Sequence, residues 1–312
     1  ITMELIEFSD KDEGKTLIRT PIDDLDSDTH TQTQIQAHTK REEMMDLIAN
    51  FDEELAEKYI NDEDISVTDI KIALRKITLS GKAHVVLCGS SLRNKGVQPL
   101  LDAMIDFLPN PKEKAAPMAT LIETSEGIEV KHDEKAQFCA LAFKVLHDRN
   151  RGPMVFFRVY SGKLSSRDKV YNVNQDITER VTKVVQMHAN NPEEVSFVSA
   201  GNIGVAIGLR NTVTGDTLLS TRYESGGGFK LKGVEIPPPV FFQNIEAETN
   251  KHQKALEEAL QILKMEDPSV STAEDEESAQ LMLYGMGELH LDIIRDRLVN
   301  DFKVERYFGN IH

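Results

Sequence analysis

The chain has 312 residues, 40% hydrophobic and 28% charged, which suits two or three soluble domains, each with its own core. No apolar run approaches the ~20 residues a membrane-spanning helix needs. Its two cysteines, Cys88 and Cys139, have no CxxC spacing, which argues against a zinc site or disulfide framework and fits a reducing compartment. Net charge is −16, yet residues 1–64 carry 19 acidic and 6 basic side chains, so the acidity that would argue against an RNA partner belongs mainly to one segment.

The chain opens at Ile1 without a methionine, already reading as a strand over residues 1–8, and stops at His312 beyond another apparent strand. Both ends read as cuts, and the start lacks the basic-then-apolar order of a signal peptide. Residues 1–38 alternate short β-like pieces with Asp/Thr-rich turns. Helical spacing of Met44, Leu47, Ile48, Phe51, Leu55 and Tyr59 predicts a helix over 39–60. Ser66-Val-Thr-Asp69 resembles a capping box opening a second helix. Residues 84–88 read as a short buried strand, followed by a Gly-Ser-Ser loop and a helix over 97–107 that ends before Pro109-Asn-Pro111. That order is the closing half of an α/β domain.

Residues 112–135 form a charged linker with one or two short strands. From 137 to about 219 the period changes to two, with strands at 138–146, 155–160, 169–173, 180–188 and 204–209. No amphipathic helix interrupts them, which predicts a closed barrel. Gly226, Gly227 and Gly228, then Pro237-Pro-Pro239, mark the next boundary. From Val240 the order is strand, helix (251–265), strand (269–273), strand (280–284), helix (288–301), strand (302–307), the ferredoxin-like βαββαβ motif. The predicted domains are therefore 1–111, 112–232 and 233–312.

Two short motifs tempt and fail. Ser9-Asp-Lys-Asp-Glu-Gly14-Lys15-Thr16 ends in GKT as a P-loop does, but it opens on Ser9, and Asp10, Asp12 and Glu13 would face the phosphates. A β-like piece follows Thr16 where a helix N-terminus should be, so an acidic hairpin is the better reading. Asn94-Lys95 resembles the guanine-reading NKxD element, but Val97 stands where the carboxylate belongs. Glu288 and His290, two apart, do not share a helix face as a metal pair would, and no metal ligand set is predicted.

Two blocks hold. Cys88-Gly-Ser-Ser-Leu-Arg-Asn-Lys-Gly-Val-Gln-Pro-Leu-Leu-Asp102 follows the last apolar strand of the α/β half and opens a helix. Gly285-Met-Gly-Glu-Leu-His290 lies at a strand–turn–helix junction. Both resemble the elongation factor G family of translational GTPases: the first its fifth GTPase motif, with Ser91 for the common alanine, the second a signature of its third domain. Tyr160-Ser-Gly162 and Thr214-Gly-Asp-Thr217 resemble the barrel shared by translation factors. Blocks at 139–148, Arg151-Gly-Pro153, 159–162, 200–203, 208–209 and 214–217, with 233–237 and 239–242, are most similar to the branch of mitochondrial ribosome-releasing factors.

The resemblance implies a fold of three parts: the C-terminal part of a P-loop GTPase domain with an acidic insertion, a translation-factor β-barrel, and a ferredoxin-like α+β domain. It implies that Gly89, Ser90, Ser91 and Leu92 contact guanine, while Gly285, Met286, Gly287, Glu288, Leu289 and His290 are a non-catalytic signature. It places the P-loop, both switches and a water-positioning histidine ahead of Ile1, so no catalytic residue is expected here. GTP, with Mg2+ in a full-length protein, is the implied cofactor. The implied partners are the mitochondrial ribosome, through rRNA and ribosomal proteins, and ribosome recycling factor; the factor is a monomer in the matrix, with no membrane partner and its transit peptide upstream. GTP-dependent ribosome disassembly is the implied function, against translocation or a non-hydrolytic scaffold. Lys163, Arg167, Lys169 and Lys183 are scattered and read as solvated surface.

Overall fold

The computed structural model describes residues 1–233, 235–247, 250–275, 278–304, 306–309 and 311. Contacts divide the chain into two units, Ile1–Glu113 and Lys114–His312.

The first unit opens with an antiparallel hairpin, β1 (Glu4–Phe8) and β2 (Leu17–Pro21). Helices follow: α1 (Ser27–Ala49), α2 (Glu53–Ile60), α3 (Val67–Leu79) and α4 (Val97–Phe107). The single helix expected over 39–60 is two, and the first begins well before residue 39. Asp26 starts α1 by accepting from the Asp28 N–H, and Asp52 starts α2 by accepting from the Leu55 N–H at 2.9 Å. Each short carboxylate offers the backbone an N-cap, so the chain breaks at 50–52 although the apolar spacing runs on. The capping box at α3 is complete: Ser66 and Asp69 each accept the other's backbone N–H, at 3.1 and 3.0 Å. Met45, Ile48, Leu55, Ile70, Ala73 and Ile77 form the core between these helices.

Residues 84–88 are not a buried strand. Val86 is 85% exposed, and no described strand pairs with the segment. A strand that has found no neighbour keeps its backbone donors in water, so the apolar pattern alone does not bury it.

The second unit holds β3 (Met118–Leu121), β4 (Gly127–Glu129), β5 (Cys139–Asp148), β6 (Gly152–Ser161), β7 (Lys163–Ser165), β8 (Lys169–Asn172), β9 (Ile177–Arg180), β10 (Lys183–His188), β11 (Asn191–Glu194), β12 (Phe197–Ser199), β13 (Ile203–Ile207), β14 (Thr217–Ser220) and β15 (Phe229–Leu231). Eight of them form one antiparallel sheet in the order β11-β10-β13-β6-β5-β14-β8-β9. The sheet curls round a core that includes Val155, Phe157 and Val159, alternate residues of β6, as period two requires. The β7–β12 pair closes the barrel wall, β7 against β10 and β12 against β6. A small sheet, β15-β3-β4, covers the outside of the barrel, sandwiching Cys139, Tyr171 and Leu219 with Ala119, Phe229 and Leu231.

The βαββαβ order follows: β16 (Phe241–Ala247), α5 (Asn250–Glu266), β17 (Ser271–Glu274), β18 (Leu281–Gly285), α6 (Glu288–Asn300) and β19 (Arg306–Phe308). Sheet order β17-β18-β16-β19 is that of a ferredoxin-like domain, with both helices over one face. The last strand was expected over 302–307; Phe302 packs against the core instead, and Glu305 lies outside the described residues.

Barrel and ferredoxin-like domain meet at the end of α5. The Thr214 N–H donates to the Met265 carbonyl at 3.1 Å, and its hydroxyl to the Glu266 carbonyl at 3.1 Å. The Glu266 carboxylate, 7% exposed, accepts from the His147 N–H (2.7 Å) on the barrel and from Arg297 (2.6 Å) on α6. Thr214 belongs to a turn rooted in the barrel: buried Asp216 accepts from Asn172 (2.8 Å), Gln175 (3.2 Å) and the Val213 N–H (2.9 Å). Burial pushes the Asp216 carboxyl above its usual range, against those hydrogen bonds.

Candidate functional site

The loop at 88–98 is pinched shut by its backbone. The Ser90 N–H donates to the Lys95 carbonyl at 2.8 Å, and the Lys95 N–H returns to Ser90 at 3.0 Å. Between them Ser91–Arg93 makes a 3-10 turn, and Asn94 turns the chain at φ 53°. Two glycines permit the pinch. A Cβ on Gly89 would lie 2.8 Å from the Lys95 carbonyl oxygen; one on Gly96, at φ +83°, would lie 3.2 Å from the Cys88 oxygen and from Gly89 Cα.

The pinch pushes the tip outward. Leu92 is 97% exposed, and the N–H groups of Ser91 and Leu92 have no protein acceptor among the described residues. Helix α4 starts at Val97 with no side-chain cap at Gly96. All four residues predicted to contact guanine, Gly89, Ser90, Ser91 and Leu92, thus lie together on one exposed turn. It can offer N–H donors to a carbonyl and an apolar side chain to a ring, but none of the four titrates near neutral pH. Such groups suit contact with a ligand rather than proton transfer.

The false P-loop is an acidic hairpin tip. The Asp12 carboxylate accepts from the Thr16 N–H at 3.0 Å and from its hydroxyl, contacts that hold it below the usual carboxylate range. Its negative charge points the wrong way for a triphosphate. Among the described residues no cluster of three or more His, Cys, Asp or Glu could hold a metal ion.

Residues 285–290 form a clamp. Helix α6 packs its first turn onto Gly285, where a Cβ would come within 2.9 Å of the Leu291 side chain. His290 Nδ1 accepts the Met286 N–H at 3.0 Å, and Nε2 meets the Asp267 carboxylate at 3.1 Å. The first bond requires Nδ1 to be unprotonated, which leaves the ring proton on Nε2 to donate to Asp267. Asp267 also accepts the Ser269 N–H at 2.8 Å, so His290 ties the turn at 286–287 to the connection after α5. Glu288 stands in the first turn of α6, and Leu289 is 72% exposed. His290 is engaged in structure at both nitrogens. Asp267, 23 residues upstream, carried no signal in the sequence that named it as the partner.

Residues 137–221 match the profile described as Elongation factor G domain 2, and residues 236–310 match Elongation Factor G, domain III. Elongation factor G 2 of Syntrophomonas wolfei subsp. wolfei is 41% identical over 274 residues, which are 88% of this chain and 39% of that relative. The chain belongs to the elongation factor G family. It spans about two fifths of the length of that elongation factor G relative. A crystal structure from Thermus thermophilus matches with TM-score 0.73 over 98% of this chain and 41% of its own, at 22% identity, a likeness of fold. The profile matches cover the barrel and the ferredoxin-like domain, where Gly285–His290 stand.

Proposed function

We propose that the protein works as a GTP-dependent factor on the ribosome, with the turn at Gly89–Leu92 contacting the guanine base. The observation that carries this is the exposed, glycine-pinched turn with unspent N–H donors ahead of α4, in a chain of the elongation factor G family. Mg2+ would accompany the nucleotide's phosphates. Within that reading we assign ribosome disassembly after termination, together with ribosome recycling factor, in the mitochondrial matrix. The support is the resemblance of the blocks at 139–162 and 233–242 to ribosome-releasing factors. Translocation is the second reading, favoured by the name of the 41% identical relative, Elongation factor G 2.

The test uses a chain extended to the length of its relatives. Dissociation of mitochondrial ribosomes is followed by light scattering with recycling factor and GTP, beside a translocation assay. Splitting without translocation is the expected outcome; translocation without splitting moves the protein to the second reading. A Gly89→Ala variant of the same chain tests the guanine contact, with a fall in affinity for GDP relative to ADP expected. The 312 residues alone should not bind GTP at low micromolar concentration, because their GKT stretch is an acidic hairpin; saturable binding in equilibrium dialysis would contradict this.

A further inference from the structure

The GKT stretch has no phosphate to hold, yet its glycine is under a tight geometric demand. Gly14 is buried, sits at φ +79°, and a Cβ there would lie 2.3 Å from the Asn94 carbonyl oxygen. The hairpin tip is therefore in backbone contact with the far side of the pinched turn. Two more contacts join the same surfaces. The Gln98 side chain donates from Nε2 to the Gly14 carbonyl at 2.8 Å, and Lys95 Nζ lies 3.3 Å from the Asp10 carboxylate. The tip itself is braced by the Gly14 N–H, which donates to the Ser9 carbonyl at 2.8 Å, and by Asp12 on Thr16. Gln98 Oε1 is buried with no partner among the described residues, so the contact is close enough to keep water from it.

We propose that the hairpin tip is a strut for the guanine-contacting turn, with Gly14 and Gln98 as positioning residues for nucleotide selectivity. The proposal rests on the reading of Gly89–Leu92 given above. Asn94 and Lys95 form the return limb of the turn, and Ser90 is hydrogen-bonded to that limb, so pushing Asn94 aside displaces Ser90 and the donors beside it. The acidic segment carrying the hairpin is then mechanically joined to the base-reading turn, although it touches no nucleotide.

Gly14→Ala adds a methyl against Asn94 and strains a left-handed residue. Gly81→Ala is the control: Gly81 has φ +71° with nothing within 4 Å of its added Cβ, so it carries the strain without the contact. Gln98→Glu keeps the shape but removes the donor to Gly14, should Gly14→Ala fail to fold. Hydrogen exchange of the Ser90 and Lys95 amides is read in this chain. The ratio of GDP to ADP affinity is read in a chain carrying the complete GTPase domain. Gly14→Ala and Gln98→Glu are expected to speed exchange of both amides about tenfold and to lower the affinity ratio by about as much, while Gly81→Ala does neither. Unchanged amides, or equal effects from Gly81→Ala, would overturn the strut. Faster amides with an unchanged ratio would overturn its role in selectivity if Gly89→Ala lowers that ratio. If Gly89→Ala also leaves the ratio unchanged, the guanine reading fails and the proposal fails with it.

Discussion

Replacing Gln243 by leucine should stabilise the ferredoxin-like domain. Gln243 is fully buried in β16, on the strand face it shares with Phe241, Ile245 and Ala247, which all belong to the core beneath α5 and α6. Both Oε1 and Nε2 lack a hydrogen-bond partner among the described residues. Burying an unpaired amide costs about 1–3 kcal/mol on protein mutational scales. Leucine is close in volume to glutamine, so the exchange opens no large cavity, and overpacking would take back at most a part. A net gain of about 1–2 kcal/mol follows, equivalent to roughly 2–8 °C in melting temperature when the unit Lys114–His312 melts as one. Urea titration followed by circular dichroism should show a raised midpoint with an unchanged slope. Native-state hydrogen exchange should place the gain at amides of β16 and β18. A loss of stability of about 1 kcal/mol or more would refute the reasoning, because it would show that the amide is paired in the native protein, for instance by an internal water.

Three further outcomes follow from the same reasoning. Asp69 is held at about 2 by hydrogen bonds from Ser66 and Lys58, so its folded value lies below its unfolded one. Its contribution is complete above about pH 4 and is lost as pH falls toward 2, so α3 should fray over that window by circular dichroism, and Ser66→Ala should cost about 1 kcal/mol at neutral pH. Glu266→Ala leaves the His147 N–H without its acceptor and takes one of two carboxylates from Arg297, which keeps Asp301 at 3.3 Å; the cost should be about 1–3 kcal/mol, and calorimetry should show the barrel and ferredoxin-like domain melting apart. Burial pushes the Cys139 thiol up to about 12 while Cys88 is exposed, so a thiol reagent at pH 8 should label one cysteine promptly and the second only on unfolding.

What the sequence disclosed was whatever has a short period or a local cap. The barrel strands and the βαββαβ order were legible because each strand buries alternate residues and each helix buries one face. The capping box at Ser66 could be read because both partners lie within four residues. The first half of α1 escaped because Thr, Gln and His there have no apolar face, and Ile35 is 61% exposed. Residues 84–88 misled for the opposite reason: apolar composition promised burial that only a paired neighbour could supply. At the candidate site, the turn at 89–92 was legible through its glycines and the Asn-Lys-Gly-Val-Gln tail. The contact of Gly14 with Asn94, the Asp267 partner of His290 and the Glu266 joint were not, since each joins residues far apart in the chain without a repeating pattern.

The turn at Thr214–Thr217 bears on how load passes through the second unit. Its outer residue holds the end of α5, while Asp216 and Asn172 anchor its base among the barrel strands. A torque applied to the ferredoxin-like domain therefore arrives at the barrel wall directly, without first taking up slack in a loop. With Glu266 bonded on both sides, the joint has little compliance in small displacements and should give way abruptly in large ones. Movement between the two domains would then occur as a click between seated and unseated positions, not as a continuous swing.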